Sequence, residues 1–524
     1  MAYAGKIELK LMVDRAKNRV VCAECDSKFV DVLFSFLTMP MAEIIHLSGK
    51  KTKMGCMDGL YQSVEGLDER FFQSKACKSM LLRPRSSIEF KCANLAVNYV
   101  AGPTGYYLYG CSDPSCGINT LLVSYYKDCQ CSCGRIMDRR LKLSYPVGST
   151  DHGVFVQGKL GFLVRDDLQV IPLVATSSLC IMKKIGIKDG NSVEGRDVKI
   201  GSREVLRLLK CSLHSRTALT DALLSNIIPI TGQVKLKSDK KASDHFVKNE
   251  QKNKGRRTMK GKLVMNKSTK QVLYLEARED LVNQILSFLT FPLGSVLKVM
   301  KGSAAGSPFL GSSVSNIYSA AEEFSTGGDN PFKSEESKSE LVSPRLGCFM
   351  GCDDQLLIHH LVDEADSQTF YTDVSCHGRN VSLSRIHVSL SDQHISAPCS
   401  SIICTRSGQC YHGAWKAKQL KPINPKLPNA VTVKSGGFVK MNTKYMITDD
   451  LSVKPLISSS TVLLLINKNK VTTDELEEQD ISIGEEEVAR ILRASLTSKT
   501  VFTDVFFPAA EKGKWFRSGS MEAE

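Results

Sequence analysis

SFLTMP at residues 35–40 and SFLTFP at residues 287–292 are near copies of one hexapeptide, and they decide how the chain is organised. Extended outward without a gap, residues 9–40 overlay 261–292 with ten identical positions. A second ungapped overlay, of residues 153–224 on 436–507, shares 24 of 72 positions. There Asp166-Asp167-Leu168 answers Asp449-Asp450-Leu451, and TALTDALL (Thr217 to Leu224) answers TVFTDVFF (Thr500 to Phe507). Self-similarity at both ends, with a period of about half the chain, reads as a tandem duplication of one module rather than a solenoid. The expected layout is a first copy over residues 6–230, a linker over 231–258, a second copy over 259–510 and a tail over 511–524.

The local pattern gives the fold class. KIELKLMVD and RVVCAEC alternate apolar and polar residues on either side of RAKN, as two strands around a turn do, and KGKLVMN with QVLYLEA repeats this in the second copy. A helix is expected from about Lys28, capped by Asp26 or Ser27, with Phe29, Val30, Leu33, Phe34 and Leu37 on its apolar side. Pro40 ends that helix or opens the next. Gly201-Ser202 and Gly484 precede helices whose apolar positions are Val205, Leu208, Leu209 and Leu213, and Val488, Ile491, Leu492 and Leu496. Strands and helices in this mixture predict an α+β fold. Residues 301–345, rich in Ser, Gly and Glu, read as a long flexible loop in the second copy.

At 524 residues and a net charge of +14, the chain is long enough for two large domains and basic enough to raise the question of nucleic acid. The charge is concentrated: from Thr231 to Lys260 there are ten Lys or Arg against Asp239, Asp244 and Glu250. Half of the basic excess therefore falls in the linker, which reads as a solvated tether able to neutralise phosphates without reading bases. No uncharged apolar run reaches the roughly 18 residues that a membrane helix needs, and no export signal or membrane partner is expected. Eighteen cysteines spread through so long a chain point to a reducing compartment, cytoplasm or nucleus, with free thiols rather than a disulfide framework.

The cysteines also supply the best candidate for chemistry. Cys111-x4-Cys116 is followed by Cys129, Cys131 and Cys133, so four of these five thiols can surround a tetrahedral zinc in a ribbon-like insert of the first copy. Four thiolate ligands leave no open position, which makes such a zinc structural. The second copy offers Cys399-x4-Cys404 with Cys410 and His412. Cys22-x2-Cys25 lies within a strand and reads as buried thiols rather than a redox pair.

Three further motifs have plain structural readings. Gly153 to Leu160 resembles a phosphate loop, but Leu160 stands where Ser or Thr would hold magnesium, which leaves a strand pair with a glycine turn. Asp166-Asp167 and Asp449-Asp450 sit between apolar stretches, where aspartate makes turns or helix caps. His46, His152 and His214 have no histidine opposite them in the overlay.

KIELKLMVDRAKNRVVCAECDSKFVDVLFSFLTMPMAEII, MITDDLSVKPLISSSTVLLL and IGEEEVARILRASLTSKTVFTDVFF closely resemble a plant protein family catalogued as domain of unknown function number 674. The resemblance spans nearly the whole chain and implies an intracellular plant protein, without a reaction or an active site. Similar members carry Cys-x2-Cys followed by Gly and Met. Cys133-Gly134-Arg135-Ile136-Met137 matches the second half of that motif, whereas Gln130 takes the place of its first cysteine and is flanked by Cys129 and Cys131. The expected function is a non-enzymatic binding or scaffold protein with a protein partner. One alternative is zinc-dependent nucleic-acid binding through the insert, with Tyr125, Tyr126 and Lys127, together with the basic linker. Another is an enzyme using Asp166 or Asp449.

Overall fold

The computed structural model describes residues 5–93, 95–97, 107–113, 116, 120–144, 153–173, 190–224, 257–301, 312–324, 330–352, 355–359, 370–372, 388–389, 418–427, 436–456 and 459–508. Its N-terminal half carries β1 (Ile7–Asp14), β2 (Arg19–Asp26), β3 (Tyr107–Gly110), β4 (Leu122–Val123), β5 (Cys129–Gln130), β6 (Ile136–Met137), β7 (Arg139–Ser144), β8 (Gly161–Arg165), β9 (Val170–Pro172) and β10 (Val193–Ile200). The C-terminal half carries β11 (Met259–Asn266), β12 (Val272–Ala277), β13 (Phe370–Thr372), β14 (Val388–Ser389), β15 (Lys418–Pro422), β16 (Tyr445–Thr448), β17 (Val453–Pro455) and β18 (Leu476–Ile483). Helices accompany both sets, so the fold is α+β.

β1 and β2 form because their apolar residues alternate, and the inner set of β1 (Ile7, Leu9, Leu11 and Val13) is buried. They lie in an antiparallel sheet of order β10-β1-β2-β8-β9. A second antiparallel sheet has the order β18-β11-β12-β16-β17, the same succession of element types. Even the irregularity in register recurs, between Met12 and Val13 in one sheet and between Val264 and Met265 in the other. Helices Ser27–Ser35 and Glu279–Ser287 follow, the first with the Asp26 carboxylate accepting from Lys28 N at 3.0 Å. Pro40 stands just before helix Met41–Leu47.

The two hexapeptides, both buried, meet one another. Pro40 and Pro292 pair antiparallel, Met41 N donates to Phe291 O and Leu293 N to Met39 O, both at 2.9 Å. From there the halves interlock by exchange. Helix Met57–Gly66 of the first half packs against β17, while helix Ser313–Glu323 of the second packs against β9 and helix Ser202–His214. Cys56 N donates to Ser495 O and Ser313 N to Ser215 O, and the bridges Phe72 to Val439 and Val156 to Phe332 mirror one another. The main apolar cluster runs through residues of both halves.

A further six strands have the order β3-β7-β14-β13-β15-β4. Tyr109 of β3 exchanges both backbone hydrogen bonds with Ser124, just past β4, at 2.8 Å each, so these strands close into a barrel. Each half supplies three strands. Pairs within a half are antiparallel, and the two seams between halves, β7 with β14 and β15 with β4, are parallel.

Residues 301–345 depart from the expected loop, because helices Ser313–Glu323 and Glu335–Val342 lie within them. Val314, Ile317, Tyr318, Ala320 and Ala321 are buried at helical spacing, and the surrounding Ser, Gly and Glu hide that spacing in the composition. Residues 231–256 of the linker lie outside the described residues. Among the described residues no helix is long and apolar enough to cross a membrane.

Candidate metal centre

Cys111 follows β3 directly, Cys116 lies before β4, and the hairpin of β5 and β6 carries Cys131 and Cys133. Ser112 N donates to Ile136 O at 3.0 Å and holds the two segments together. The hairpin turn runs from Cys131 to Gly134, with Gly134 N donating to Cys131 O at 2.9 Å and Cys131 N to Arg135 O at 2.8 Å. Gly134 has φ +82°, a conformation that costs glycine little. The sharp turn brings Cys131 and Cys133 to one side. Asp113 braces the first pair, accepting from Cys116 N at 3.4 Å and facing Arg135 at 3.6 Å.

The structure brings Cys111, Cys116, Cys131 and Cys133 together, with all four sulfurs within 4.8 Å of one another. Cys111 Sγ is 3.5 Å from Cys133 Sγ, and Cys116 Sγ is 3.6 Å from Cys131 Sγ. A zinc ion about 2.3 Å from each of four sulfurs would set them roughly 3.8 Å apart, so the group has the size of a single tetrahedral ion and could hold a metal. Cys129 stands apart. Its thiol contacts Ser124 Oγ at 3.0 Å and donates to Tyr126 O at 3.2 Å inside the core.

The electrostatics favour a cation there. Burial pushes the Cys111 thiol up to about 12 and the Cys116 thiol up to about 11. The exposed Cys133 is lowered to about 7, first by the backbone N–H of Arg135 and then by the Cys116 thiol. Four sulfurs this close cannot all ionise without a cation, and a divalent ion supplies the charge that displaces their protons. Arg139 Nε donates to Cys111 O at 3.1 Å, while its Nη1 is buried without a hydrogen-bond partner in the described structure. An anionic tetrathiolate centre would complement that guanidinium.

The remaining motifs take structural roles. Asp166 accepts from Thr220 N at 2.8 Å, from Thr220 Oγ1 at 2.9 Å and from Arg19 Nε at 2.8 Å. Asp449 accepts from Thr503 N at 3.0 Å and Thr503 Oγ1 at 2.6 Å. Gly161, soon after Lys159, opens a strand rather than a helix. Cys22 and Cys25 are buried in β2, and burial pushes both thiols up, Cys22 to about 11, which is the opposite of activation. His46 Nε2 meets Arg83 Nη1 at 2.9 Å, and burial lowers its pKa. His152, Cys399, Cys404, Cys410 and His412 lie outside the described residues. Tyr125 and Tyr126 are 7% and 6% exposed, and Tyr126 donates to Arg83 O at 2.9 Å, so neither offers a face on which a base could stack.

Two buried charges escaped the sequence reading. Asp31 accepts from Val154 N, Phe155 N and Val156 N at 2.5, 2.7 and 3.1 Å. Lys426 is fully buried, donates to Gly351 O and to Gly436 O, the latter at 2.9 Å, and lies 4.8 Å from the centre of the Phe438 ring. Nothing local distinguishes either from a surface residue. The partners of Asp31 and the Gly351 partner of Lys426 lie far along the chain.

The model of the family described as "Protein of unknown function (DUF674)" matches residues 4–486. No curated protein and no solved structure matches the chain. A match over so much of the length places the chain in the family: it is a member of the DUF674 proteins of unknown function.

Proposed function

We propose that this chain is a non-enzymatic intracellular binding or scaffold protein, built from two copies of one module, in which Cys111, Cys116, Cys131 and Cys133 hold a structural zinc ion. The observation that carries the reading is the convergence of four thiols on one point; a tetrahedral zinc held by four thiolates keeps no position for a substrate. The duplication is supported by the shared residues of the two overlays and by the matching strand succession of the two sheets. Against catalysis, Asp166 and Asp449 are each occupied in tying down a C-terminal segment. An open cleft of about 730 Å³ along β1 and β10 sets Lys10, Lys159 and Lys199 among Glu8, Glu24, Asp26 and Asp197, with Lys199 already paired to Glu8 at 2.7 Å. A protein partner fits this reading better than a small molecule.

Elemental analysis of the purified chain tests the metal. The expected result is about one zinc ion per chain, lost in Cys116→Ser and Cys131→Ser and kept in Cys129→Ser. Retention of zinc by the first two variants, or its absence from the parent even after incubation with zinc, would remove the metal from the reading. Oligonucleotide binding separates a scaffold from a nucleic-acid module. Any affinity should be salt-sensitive and vanish on deletion of residues 235–257. Affinity that survives the deletion but disappears in a folded Cys111→Ser, Cys116→Ser chain would replace the scaffold with a zinc-dependent nucleic-acid module.

A further inference from the structure

The four thiols occupy a particular place in the barrel that the two halves share. Cys111 is the first residue after β3, and Cys116 lies on the segment that returns as β4. Thr120 Oγ1 donates to Cys116 O at 2.9 Å and carries the connection on to Leu121. Leu121 O then accepts from Lys421 N at 2.8 Å, and Val123 O from Ile423 N at 2.9 Å, which are bonds from the other half of the chain. β4 is only two residues long, too short to hold its place by pairing alone. On the other side, the hairpin bearing Cys131 and Cys133 runs into β7, and β7 makes the second seam with β14. Both first-half strands at the seams are therefore tethered within a few residues of the thiols. Among the described residues of the second half no comparable group of thiols is present.

We infer that metal binding by Cys111, Cys116, Cys131 and Cys133 controls how firmly the barrel closes and, through it, how firmly the two halves hold one another. This rests on the reading of the four thiols as a metal site. With the ion in place, β3, β4 and the approach to β7 are fixed to one point, and β4 and β7 meet β15 and β14 in register. Without it, the sulfurs lose their common partner, β4 is left to its few backbone bonds, and the seams open first.

Hydrogen–deuterium exchange on the intact chain, before and after chelation, with zinc measured in the same samples, tests this. Chelation should speed exchange by at least about tenfold at residues 107–110 and 121–124 and also at 418–423, which carry no thiol. Strands β1 and β11, each paired with strands of its own half, should be unchanged, and added Zn²⁺ should restore the original rates. Cys116→Ser should give the chelated profile without treatment, and Cys129→Ser the parent's profile. If zinc leaves and only residues 111–137 exchange faster, the coupling is overturned while the metal site stands. If the whole chain speeds up, the ion supports the fold at large and the coupling again falls. A chain that neither contains nor takes up zinc overturns the coupling and the metal site together.

Discussion

Asp31 and Asn283 occupy matching places in helices Ser27–Ser35 and Glu279–Ser287, and both accept backbone hydrogen bonds from a distant segment. Asn283 Oδ1 takes Phe438 N at 2.8 Å and Val439 N at 3.2 Å, where Asp31 takes three donors. Burial pushes the Asp31 carboxyl up from its ordinary 3.8 to about 6, against the pull of those N–H groups and of Lys333. A folded value above the unfolded one means that the folded state binds the proton more tightly. The associated stability is complete below about pH 4 and is lost as pH rises through about 6, by roughly 2 to 3 kcal/mol. Asp31→Asn should therefore flatten the dependence of unfolding free energy on pH between 4 and 6. It should also lower stability overall, because Nδ2 would face Val154 N–H, donor against donor. In the second half the matching position is Gly437, where a Cβ would stand 2.3 Å from Asn283 Nδ2. Adding Val154→Gly should recover part of the loss in denaturant unfolding; a double variant no more stable than Asp31→Asn alone would contradict the steric argument.

Among the elements, the C-terminal segment of each half is tied to its sheet by one threonine. Thr503 Oγ1 donates to Asp449 and accepts from Val272 N of β12 at 2.9 Å, while Thr220 Oγ1 does the same for Asp166 and Val20 N of β2 at 2.9 Å. The difference lies in Arg19, which also neutralises Asp166 at 2.8 Å. Gln271 stands in the corresponding position of the other sheet. Thr503→Val leaves the Asp449 carboxylate with backbone donors alone and strands the N–H of Val272, and should cost about 2 to 4 kcal/mol. Thr220→Val should cost less, since Arg19 keeps Asp166 paired. Chemical denaturation of both variants checks the order, and equal losses would show that Arg19 contributes nothing to this tie. This level was largely legible in the sequence: the paired aspartates read as turns or caps, and the strands flanking them were predicted. The threonine partners, more than fifty positions away, were visible only as repeated letters.

Across the whole molecule, the exchange of helices, the meeting of Pro40 with Pro292 and the shared barrel make the contact between halves part of the core. Covalent continuity through the linker should then matter little once the chain has folded. A chain with a protease site introduced between residues 235 and 257 should, after cutting, elute at the size of the intact protein and keep its melting temperature within a few degrees. Separation into two half-sized species would mean that the interlock is weaker than its geometry. The sequence by itself determined the two overlays of matching residues, the strand pairs that open each half, the helices after Gly201 and Gly484, and the cysteines from which a metal site could be drawn. These follow from periodicity and spacing, which act over a few residues and leave a local trace. Only the tertiary structure decided that Cys129 is left out of the thiol group, that Tyr125 and Tyr126 are core, that residues 313–323 are a helix lent to the other half, and that two hexapeptides far apart in the chain meet. Those outcomes depend on which surfaces pack together over hundreds of residues, and contacts at such separations carry no signature in the local order of amino acids.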